Sequence, residues 1–545
     1  MPGPNERYIS SCDTFLFAEP RRGSDVLNHL LLGDWIKTTG AENGGWVPVR
    51  ARGDDGWLPA EVLTLTRPLE INFVDIGQGD GCHIVTPEDR VILIDAGIGD
   101  NMARFLSWRY NLRGRKVKGV ENVAVTDPAA LEPFLIDTVI MSHPDEDHYG
   151  GLTPIFRNPK LRFNRIFHNG IVERPITASD KLVGLTYAPS EDIGGWLDVS
   201  GRKVLWESVQ TDAEMKAISA KHSTTTKRLL TAFRSAIENS PNIVITSLSV
   251  RDGVLPGLSP TTEPVFSVLG PFGEDAIFQS QNRYCLPKLG NEGETKNGHS
   301  VVFRMTFGKL SVLLGGDLNT QSENHLARQH LNLTSDLSAI WKETEELRRK
   351  GSARTAADSA RWQSLTTELE RTVIEGRKVF RVDVAKACHH GSHHFTEPFL
   401  QMIDATATVI SSGDAESYSH PRPDALGAFG KYGRGIRPLI FSTELARSTR
   451  ESSPLARYIP IVDGFRNRIE TAASEQQRNA IQKEMDAYRD RHVAVYGMIT
   501  LRTDGETVII AQKLEVPNGS IKWDIHELVW NGDLNEFEYL PKGGH

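Results

Sequence analysis

The sequence predicts an α/β fold, with a layered core of strands and helices, helical insertions, and a small β-barrel in front of it. Apolar runs at 71–76, 91–94 and 136–141 have the length of buried strands, and each is followed closely by Asp, Gly or His. Helix-like stretches alternate with such strands, which is typical of a layered α/β core with its polar residues at the strand ends. Shorter β-type runs, broken by turn residues, fill the region from about 13 to 66.

Residues 1–66 are predicted to form the barrel as a separate domain. Its β-type runs are separated by turns that contain Gly and Asp. The segment 33–65 resembles a bacterial SH3 domain, in which a Gly-Asp turn, a Gly-Trp strand and a closing Gly-Trp-Leu strand follow in this order. Trp46 and Trp57 fit either the packed core of such a barrel or an aromatic groove that binds a protein partner.

Residues 67–545 are predicted to form the main domain. Helical insertions are expected near 205–240, 320–378 and 463–491, because each stretch combines charged residues with a helical spacing of apolar ones. The second insertion has the pattern of a charged hairpin broken near Gly351. Solvated helical faces are the simplest interpretation of all these insertions.

Composition places the chain among folded globular proteins. Hydrophobic residues make up 39% and charged residues 24%, which excludes collagen-like and wholly disordered chains. A formal net charge of -8 argues against a surface coated with basic residues, although a local basic groove remains compatible with nucleic acid. The 4 cysteines are scattered without a C-x-x-C spacing, which favours a reducing compartment. Because we see neither a signal-peptide pattern nor a run of about 18 apolar residues, we expect a soluble, cytoplasmic protein without a membrane partner.

The strongest chemical signal lies in the segment Ser142–His148. Its sequence, Ser-His-Pro-Asp-Glu-Asp-His, follows a predicted strand directly and is bounded by Gly150 and Gly151. A loop anchored by a buried strand can bring several side chains to one point, which a site for two metal ions requires. A surface loop that carries acidic residues for solubility is the competing interpretation. That interpretation does not explain why a predicted strand precedes the segment and a glycine pair follows it.

This segment resembles the H-x-[HD]-x-D-H signature of the metallo-β-lactamase fold, an αββα sandwich. The variant with Asp in place of the second His is similar to the branch that contains the nuclease domain of ComEC-type DNA-uptake proteins. Further motifs stand in the order of that branch: Phe73–Asp80, Val91–Gly97, Asn297–Val302, Leu313–Leu318, Lys386–Ser392, Ser411–Asp414 and Tyr418–Pro423. The resemblance implies a hydrolase with two metal ions.

The resemblance also implies which side chains bind the ions. One ion would be held by His143 and Asp145, the other by Asp147, His148 and His389, with Asp317 bridging. A bridging carboxylate is physically reasonable, because two divalent cations about 3.5–4 Å apart repel each other strongly.

Several details of this ligand set stay open. His389 is favoured over His390 because related folds place the ligand first in this loop, which leaves His390 to support the site or to contact the substrate. Many relatives supply a further histidine after the next strand, and His168 stands at such a strand end, but a turn histidine before Asn-Gly is equally compatible. Asp145 stands where zinc hydrolases commonly carry histidine, and its hard oxygen shifts the preference toward manganese without excluding zinc.

The implied function is a phosphodiesterase, in the first place a nuclease acting on DNA or RNA. A hydroxide shared by two cations would attack the phosphorus in line, so no nucleophilic side chain is needed. Asp147 would help to orient the hydroxide, and His420 would contact the scissile phosphate or protonate the leaving oxygen, unless it only stabilises its loop. Basic residues downstream of His420 could follow a nucleic-acid backbone: Arg434, Arg437, Arg447 and Arg450.

Two alternatives remain. An SH3-like segment is compatible with a cell-wall or small-molecule phosphodiester hydrolase, although the missing signal-peptide pattern argues against it. The other alternative is a non-catalytic assembly protein, in which the barrel and the helices bind partners while the metals are structural. An intact ligand set argues against that interpretation.

Overall fold

The structure, a computed structural model, describes residues 3, 5–187, 192–413, 419–443, 461, 464–493 and 497–541. The helices of this part of the chain are α1 (Asn101–Arg109), α2 (Glu146–Tyr149), α3 (Leu152–Phe156), α4 (Asp212–Lys221), α5 (Arg228–Asn239), α6 (Glu292–Gly298), α7 (Thr320–Leu331), α8 (Leu337–Arg349), α9 (Ala356–Phe380), α10 (Glu397–Ile403), α11 (Pro423–Tyr432) and α12 (Glu475–Val493). Within these residues, no helix is both long and apolar enough to cross a membrane.

The N-terminal unit is an antiparallel sheet with its own apolar core. Its strands are β1 (Glu6–Ile9), β2 (Asp13–Phe17), β3 (Val26–Leu31), β4 (Trp35–Thr38), β5 (Trp46–Ala51), β6 (Asp54–Pro59) and β7 (Leu63–Thr64). They follow the order β3-β2-β6-β5-β4-β1-β7. Since β3 and β7 are the two edges of this order in the described chain, the sheet is open, and closure into the expected barrel is not seen.

Two tryptophans of the N-terminal unit lie outside its apolar core. Leu16, Ile36 and Leu58 lie at its centre and are fully buried. Trp46 and Trp57 are only half-buried and do not belong to the core cluster found among the described residues. Core filling is therefore not their role, and the aromatic-groove interpretation stays a prediction.

Two large sheets form the centre of the main domain. The larger consists of β8 (Leu69–Phe73), β9 (Cys82–Val85), β10 (Val91–Ile94), β11 (Phe134–Ile140), β12 (Leu161–His168), β15 (Val244–Ser247), β24 (Ile499–Thr503), β25 (Val508–Asn518), β26 (Ile521–Asn531) and β27 (Glu536–Tyr539), in the order β15-β12-β11-β10-β9-β8-β24-β25-β26-β27. The smaller consists of β16 (Val265–Gly270), β19 (Val302–Phe307), β20 (Leu310–Leu314), β21 (Val384–Lys386), β22 (Ala407–Ile410) and β23 (Leu439–Ser442), in the order β16-β19-β20-β21-β22-β23. A minor sheet beside them contains β13 (Trp196–Val199), β14 (Arg202–Leu205), β17 (Glu274–Phe278) and β18 (Gln281–Pro287), in the order β13-β14-β18-β17.

The two large sheets pack face to face, and helices cover both outer faces. Ile71 and Phe73 of the larger sheet share a buried apolar cluster with Phe303 and Val384 of the smaller one. A second cluster joins the outer face of the larger sheet to α1, α3, α4 and α5, and a third joins the outer face of the smaller sheet to α7, α9 and α10. The predicted α/β fold is confirmed, and this order of layers is consistent with the expected αββα sandwich.

Helices occupy the predicted insertions, but these helices also help to build the outer layers. The helices α4 and α5 lie within the first insertion, while α7, α8 and nearly all of α9 lie within the second. The chain breaks between α8 and α9 near Gly351, as predicted, and α9 starts at a capping box in which the Thr355 hydroxyl accepts the N–H of Asp358. Phe233 of α5 and Leu369 of α9 are buried against the sheets, so only the outer faces are solvated. In the third insertion, residue 463 lies outside the described residues, 464–470 are helical, and α12 begins at Glu475.

The topology brings polar loops of both sheets to one edge. Strands β10 and β11 are parallel, and so are β20 and β21. Asp95 directly follows β10 and Ser142–His148 follows β11, while Asp317 follows β20 and His389–His390 follow β21. Because the carboxyl ends of parallel strands meet at the same edge and the two sheets face each other, these loops converge.

Candidate metal centre

The loop that follows β11 is held in place by Asp95. The two carboxylate oxygens of Asp95 accept the backbone N–H of Ser142 at 2.7 Å and the Ser142 hydroxyl at 2.6 Å. The same Oδ2 lies 2.8 Å from Nδ1 of His148. When Nδ1–H of a histidine donates to a carboxylate, Nε2 keeps the lone pair that a metal ion needs. Asp95 therefore fixes both the direction and the tautomer of His148.

The side chains of Asp317, His390 and Asp147 lie close to Nε2 of His148. The Oδ2 atom of Asp317 lies 3.2 Å from it and Nε2 of His390 lies 3.3 Å from it, while these two atoms are 3.1 Å apart. Asp147 completes the group, with oxygens 3.6 Å from Nε2 of His390 and 4.0 Å from Nε2 of His148. Four ligands placed tetrahedrally at about 2.05 Å from one ion would lie about 3.3 Å apart. The spacing in this cluster therefore fits a divalent cation.

Buried atoms that lack a partner give separate support for a cation. His143 is fully buried, and neither its Nε2 nor Oδ1 of Asp317 has a hydrogen-bond partner within the described parts of the chain. Burial and the nearby His148 lower the pKa of His143 to about 3, so its imidazole is the neutral form that binds metals. The ligand atoms of His143, His148 and Asp317 all lie within 4.8 Å of one another. A desolvated lone pair is costly unless it is satisfied, and a metal ion would satisfy it.

Asp80 and Lys386 lie behind the cluster and support it, although neither was predicted from the sequence to have a role. Lys386 forms a buried ion pair with Asp80 and donates to the carbonyl of Gly316 at 2.9 Å. Oδ1 of Asp80 lies 3.2 Å from Nδ1 of His390 and so helps to orient that ring. Burial would raise the pKa of Asp80, but Lys386 and His390 lower it to about 2. The available signal was their position in the quoted motifs, with Asp80 at the end of Phe73–Asp80 and Lys386 at the start of Lys386–Ser392.

Asp145 lies beside the cluster and is bound by the chain's own donors. Its Oδ1 lies 2.8 Å from Nζ of Lys296, which is also 3.0 Å from Oε1 of Glu173. With the Asn297 amide turned so that it donates, its nitrogen lies 2.7 Å from Oδ2 of Asp145. That Oδ2 is 3.8 Å from Nε2 of His143. The role of Asp145 as a metal ligand stays a prediction.

The structure distinguishes the two histidines of the β21 loop. His390 belongs to two of the groups of close ligand atoms found among the described residues, whereas His389 belongs to none of them. Both residues have a positive φ, 49° for His389 and 54° for His390, so the chain turns sharply and points the two rings differently. The geometry favours His390 over His389 as a ligand, the reverse of the sequence-based preference.

His168 lies away from the other candidate ligands. Its Nδ1 accepts the backbone N–H of Gly170 at 3.0 Å, and its ring centroid is 5.7 Å from that of Phe233. It belongs to none of the groups of close ligand atoms found among the described residues. Its Nε2 is buried and has no hydrogen-bond partner among the described residues, but because Nδ1 accepts an N–H, a neutral ring carries its own hydrogen on Nε2. The assignment of His168 as a ligand stays a prediction.

The cluster opens into a cleft of about 500 Å³. Asp147, Asp317 and His390 line it, together with side chains that carry N–H groups: His389, His393, His394, His420 and Arg422. Two further carboxylates in the lining, Asp145 and Glu146, are paired with Lys296 and Arg228.

His420, a predicted contact residue, lies beside the cluster. Its ring centroid lies 5.8 Å from that of His389 and 6.2 Å from that of His390. Burial and these neighbouring imidazoles lower the pKa of His420 to about 4. His420 is thus placed to contact a molecule in the cleft.

The basic residues downstream of His420 that were predicted to contact nucleic acid do not line the cleft where the structure describes them. Arg434 is buried and pairs with Asp383 at 2.5 Å, so it is not available to a nucleic-acid backbone, and that prediction is wrong. Arg437 is exposed but is not among the described residues that line the cleft. The remaining predicted residues, Arg447 and Arg450, lie outside the described residues, as do Asp414 and Tyr418 of the quoted motifs.

Residues 82–162 match the model of the Metallo-beta-lactamase superfamily. The match runs from β9 into β12 and includes the whole Ser142–His148 loop. No curated protein is significantly similar to the chain. The chain therefore contains a metallo-β-lactamase superfamily domain, and its His/Asp cluster supports a metal-dependent hydrolase.

Proposed function

We propose that the protein is a metal-dependent phosphodiesterase that cleaves nucleic acid, either DNA or RNA. The observation that carries the proposal is the cleft, in which a cluster fit for a divalent cation faces a lining of N–H donors. Phosphodiesters are anions that are recognised by such donors and by arginine in particular. The order of motifs, similar to that of a nuclease branch, adds an argument by analogy.

The chain's own residues would divide the work as follows. Asp147, His148, Asp317 and His390 would hold the metal, which when bound supplies Lewis-acid activation of the phosphoryl group and of water. Asp147 reaches the cleft surface, where one carboxylate oxygen would accept a hydrogen bond from the attacking water and orient it. Arg422 and His420 would contact the non-bridging phosphate oxygens and keep the diester in line with that water.

A substrate panel tests this proposal. The full chain with Mn²⁺ or Zn²⁺ is expected to cleave at least one of single-stranded DNA, double-stranded DNA and RNA, as well as bis-p-nitrophenyl phosphate. The double variant Asp147→Ala/His148→Ala should lose cleavage by at least about a hundredfold, because it removes two proposed metal-binding groups. The matched control is Asp524→Ala/His526→Ala, which removes an Asp–His pair of β26 that is not in the cleft lining and should retain cleavage.

The outcomes of this panel distinguish the nuclease proposal from the two alternative functions. Cleavage of the small diester without cleavage of any nucleic acid would contradict the nuclease proposal and favour the cell-wall or small-molecule alternative. Absence of all cleavage in a protein that binds metal would contradict the phosphodiesterase proposal and favour the assembly alternative.

We further propose that the N-terminal unit is SH3-like and binds a protein partner. The half-buried Trp46, whose ring meets that of Phe17 edge to face at 5.6 Å, leaves aromatic surface outside the core. A pull-down with the full chain and with Trp46→Ala/Trp57→Ala tests this. A partner captured by the wild type and lost by the variant is expected, whereas identical capture by both would contradict the proposal.

A further inference from the structure

We infer that the chain holds one tightly bound divalent ion, because the ammonium of Lys296 takes the place of a second cation at Asp145. The inference rests on the metal-dependent part of the proposed function and not on the substrate. It departs from the two-ion site that the sequence resemblance implies.

The groups of close candidate ligand atoms gather around His148 and Asp317. Every group of close ligand atoms in the described residues contains His148 or the pair of Asp317 and His390, and none contains Asp145. The group of Asp80, Asp95 and His148 lies on the Nδ1 side of the His148 ring, whereas Nε2 faces Asp147, Asp317 and His390. An ion at Nε2 would be held by His148, Asp317 and His390, whose ligand atoms lie 3.1 to 3.3 Å apart, with an Asp147 oxygen 4.0 Å from that Nε2.

Lys296 already supplies positive charge at Asp145. It projects from α6, its side chain is only 14% exposed, and its Nζ bridges Oδ1 of Asp145 and Oε1 of Glu173 at 2.8 and 3.0 Å. Carboxylates that are largely removed from water need such a partner. A divalent ion bound to Asp145 would lie beside this ammonium and be repelled by it.

The other ligand atoms that a second ion would need are poorly suited to it. With the Asn297 amide turned so that it donates, Oδ2 of Asp145 accepts it at 2.7 Å. His168 accepts the N–H of Gly170 at Nδ1, so a neutral ring carries its hydrogen on Nε2, which has no hydrogen-bond partner among the described residues but is a donor and not a ligand. His143 is the remaining nitrogen, and its ligand atom lies within 4.8 Å of those of His148 and Asp317, so it groups with these two residues and not with Asp145.

One arrangement competes with this inference. If the Asn297 amide were turned the other way, its oxygen would face Oδ2 of Asp145 at the same short distance, and a cation between the two oxygens would be needed to stabilise them. That cation would be the second ion, held by His143, Asp145 and Asn297. The two arrangements predict different metal contents.

The test measures metal content in the full chain. Protein stripped with a chelator is dialysed against low micromolar Mn²⁺ or Zn²⁺, and bound metal is determined by elemental analysis and by titration calorimetry. We expect about one ion per wild-type chain. The matched variants Asp145→Asn and Asp147→Asn should differ, with unchanged content in the first and at least about tenfold weaker binding in the second. Two ions of similar affinity in the wild type, or loss of metal in Asp145→Asn, would overturn the inference.

Variants of Lys296 test whether its ammonium is what excludes a second ion. Lys296→Met frees Asp145 and should raise the content to about two ions per chain, while Lys296→Arg keeps the charge and should stay at about one. A folded Lys296→Met protein, verified by circular dichroism melting, that still takes one ion would contradict the role given to Lys296. If Lys296→Met does not fold, the wild type and Asp145→Asn decide the number of ions. A protein with one bound ion that cleaves no diester would refute the proposed function and leave this inference standing.

Discussion

At the residue scale, the site depends on side chains that hold the metal-binding side chains in position. Asp95 is buried and does not line the cleft, yet it binds Nδ1 of His148 and both polar groups of Ser142. Such a carboxylate holds the imidazole in one tautomer and raises its basicity, so its loss weakens metal binding even though it never touches the ion.

Asp95→Asn should therefore weaken binding of Mn²⁺ or Zn²⁺ by about ten- to a hundredfold, because an amide cannot hold the Nδ1–H of His148 as a carboxylate does. Titration calorimetry measures the change. Asp100→Asn, an exposed aspartate nearby in sequence that pairs with Arg104, is the control and should bind metal normally. Equal affinities in the two variants would show that Asp95 only stabilises the loop.

Several site residues could be predicted from the sequence, and others could not. Asp147, His148 and Asp317 were identified because each follows an apolar strand in a motif of known order. The sequence favoured His389 over His390, and the geometry favours the reverse, because the direction of the two rings depends on two consecutive residues with positive φ. The pairing of Asp145 with Lys296 joins positions 151 residues apart (296 minus 145), and no spacing rule reveals it.

At the element scale, the loop after β8 supports the metal loop through close backbone contact. Gly79 has a φ of +95°, and a Cβ there would lie 1.6 Å from the carbonyl oxygen of Asp147. The next N–H, of Asp80, donates to that same carbonyl at 3.3 Å. Any side chain at Gly79 would push Asp147 away from the cluster.

Gly79→Ala should cost about 1–3 kcal/mol of folding free energy and weaken metal binding at least about tenfold, because strain and a steric clash act together. Thermal unfolding and calorimetry measure the two effects. Gly427→Ala on α11, where a Cβ meets no atom within 4 Å, is the control and should be neutral or slightly stabilising. Normal metal binding by a folded Gly79→Ala protein would contradict the supporting role of this loop.

The sequence predicted the elements better than their packing. Apolar spacing and a glycine located the helical hairpin and its break at Gly351, since both are local signals. The burial of Leu369 against the smaller sheet was not predicted, because a mostly charged helix gives a weak signal for its narrow buried face.

At the scale of the whole molecule, buried charges fix the N-terminal unit on the main domain. Arg502 of β24 donates to Oδ1 of Asp34 at 2.8 Å and to the carbonyl of Leu32 at 2.9 Å, while Arg52 donates to the other oxygen of Asp34 at 2.8 Å. Sequence patterns could not show this interface, nor that the N-terminal sheet is open, because both depend on partners far apart in the chain.

Asp34 makes this interface dependent on pH. Burial would raise the pKa of Asp34, but Arg52 and Arg502 lower it from 3.8 to about 2. Because the folded value is below the unfolded one, the carboxylate stabilises the fold above about pH 4, and this contribution is lost as the pH falls toward 2.

Asp34→Asn should therefore destabilise the protein by about 2 kcal/mol at pH 6, and the difference from the wild type should shrink by about half at pH 3. Urea unfolding at both pH values measures it. Asp55→Asn is the control, because Asp55 is exposed in its pair with Arg50 and should change stability little at either pH. A difference that grows as the pH falls would have the wrong sign for this account.

Metal-dependent phosphodiester cleavage in the cleft is tested most directly by removing and restoring the metal. Protein stripped with a chelator is titrated with Mn²⁺ or Zn²⁺, and bound metal and cleavage of fluorescent DNA and RNA oligonucleotides are measured in the same samples. We predict no cleavage in the stripped protein and cleavage that rises in proportion to the bound ion. Cleavage that survives complete removal of metal, or full occupancy without cleavage of either oligonucleotide, would contradict the account.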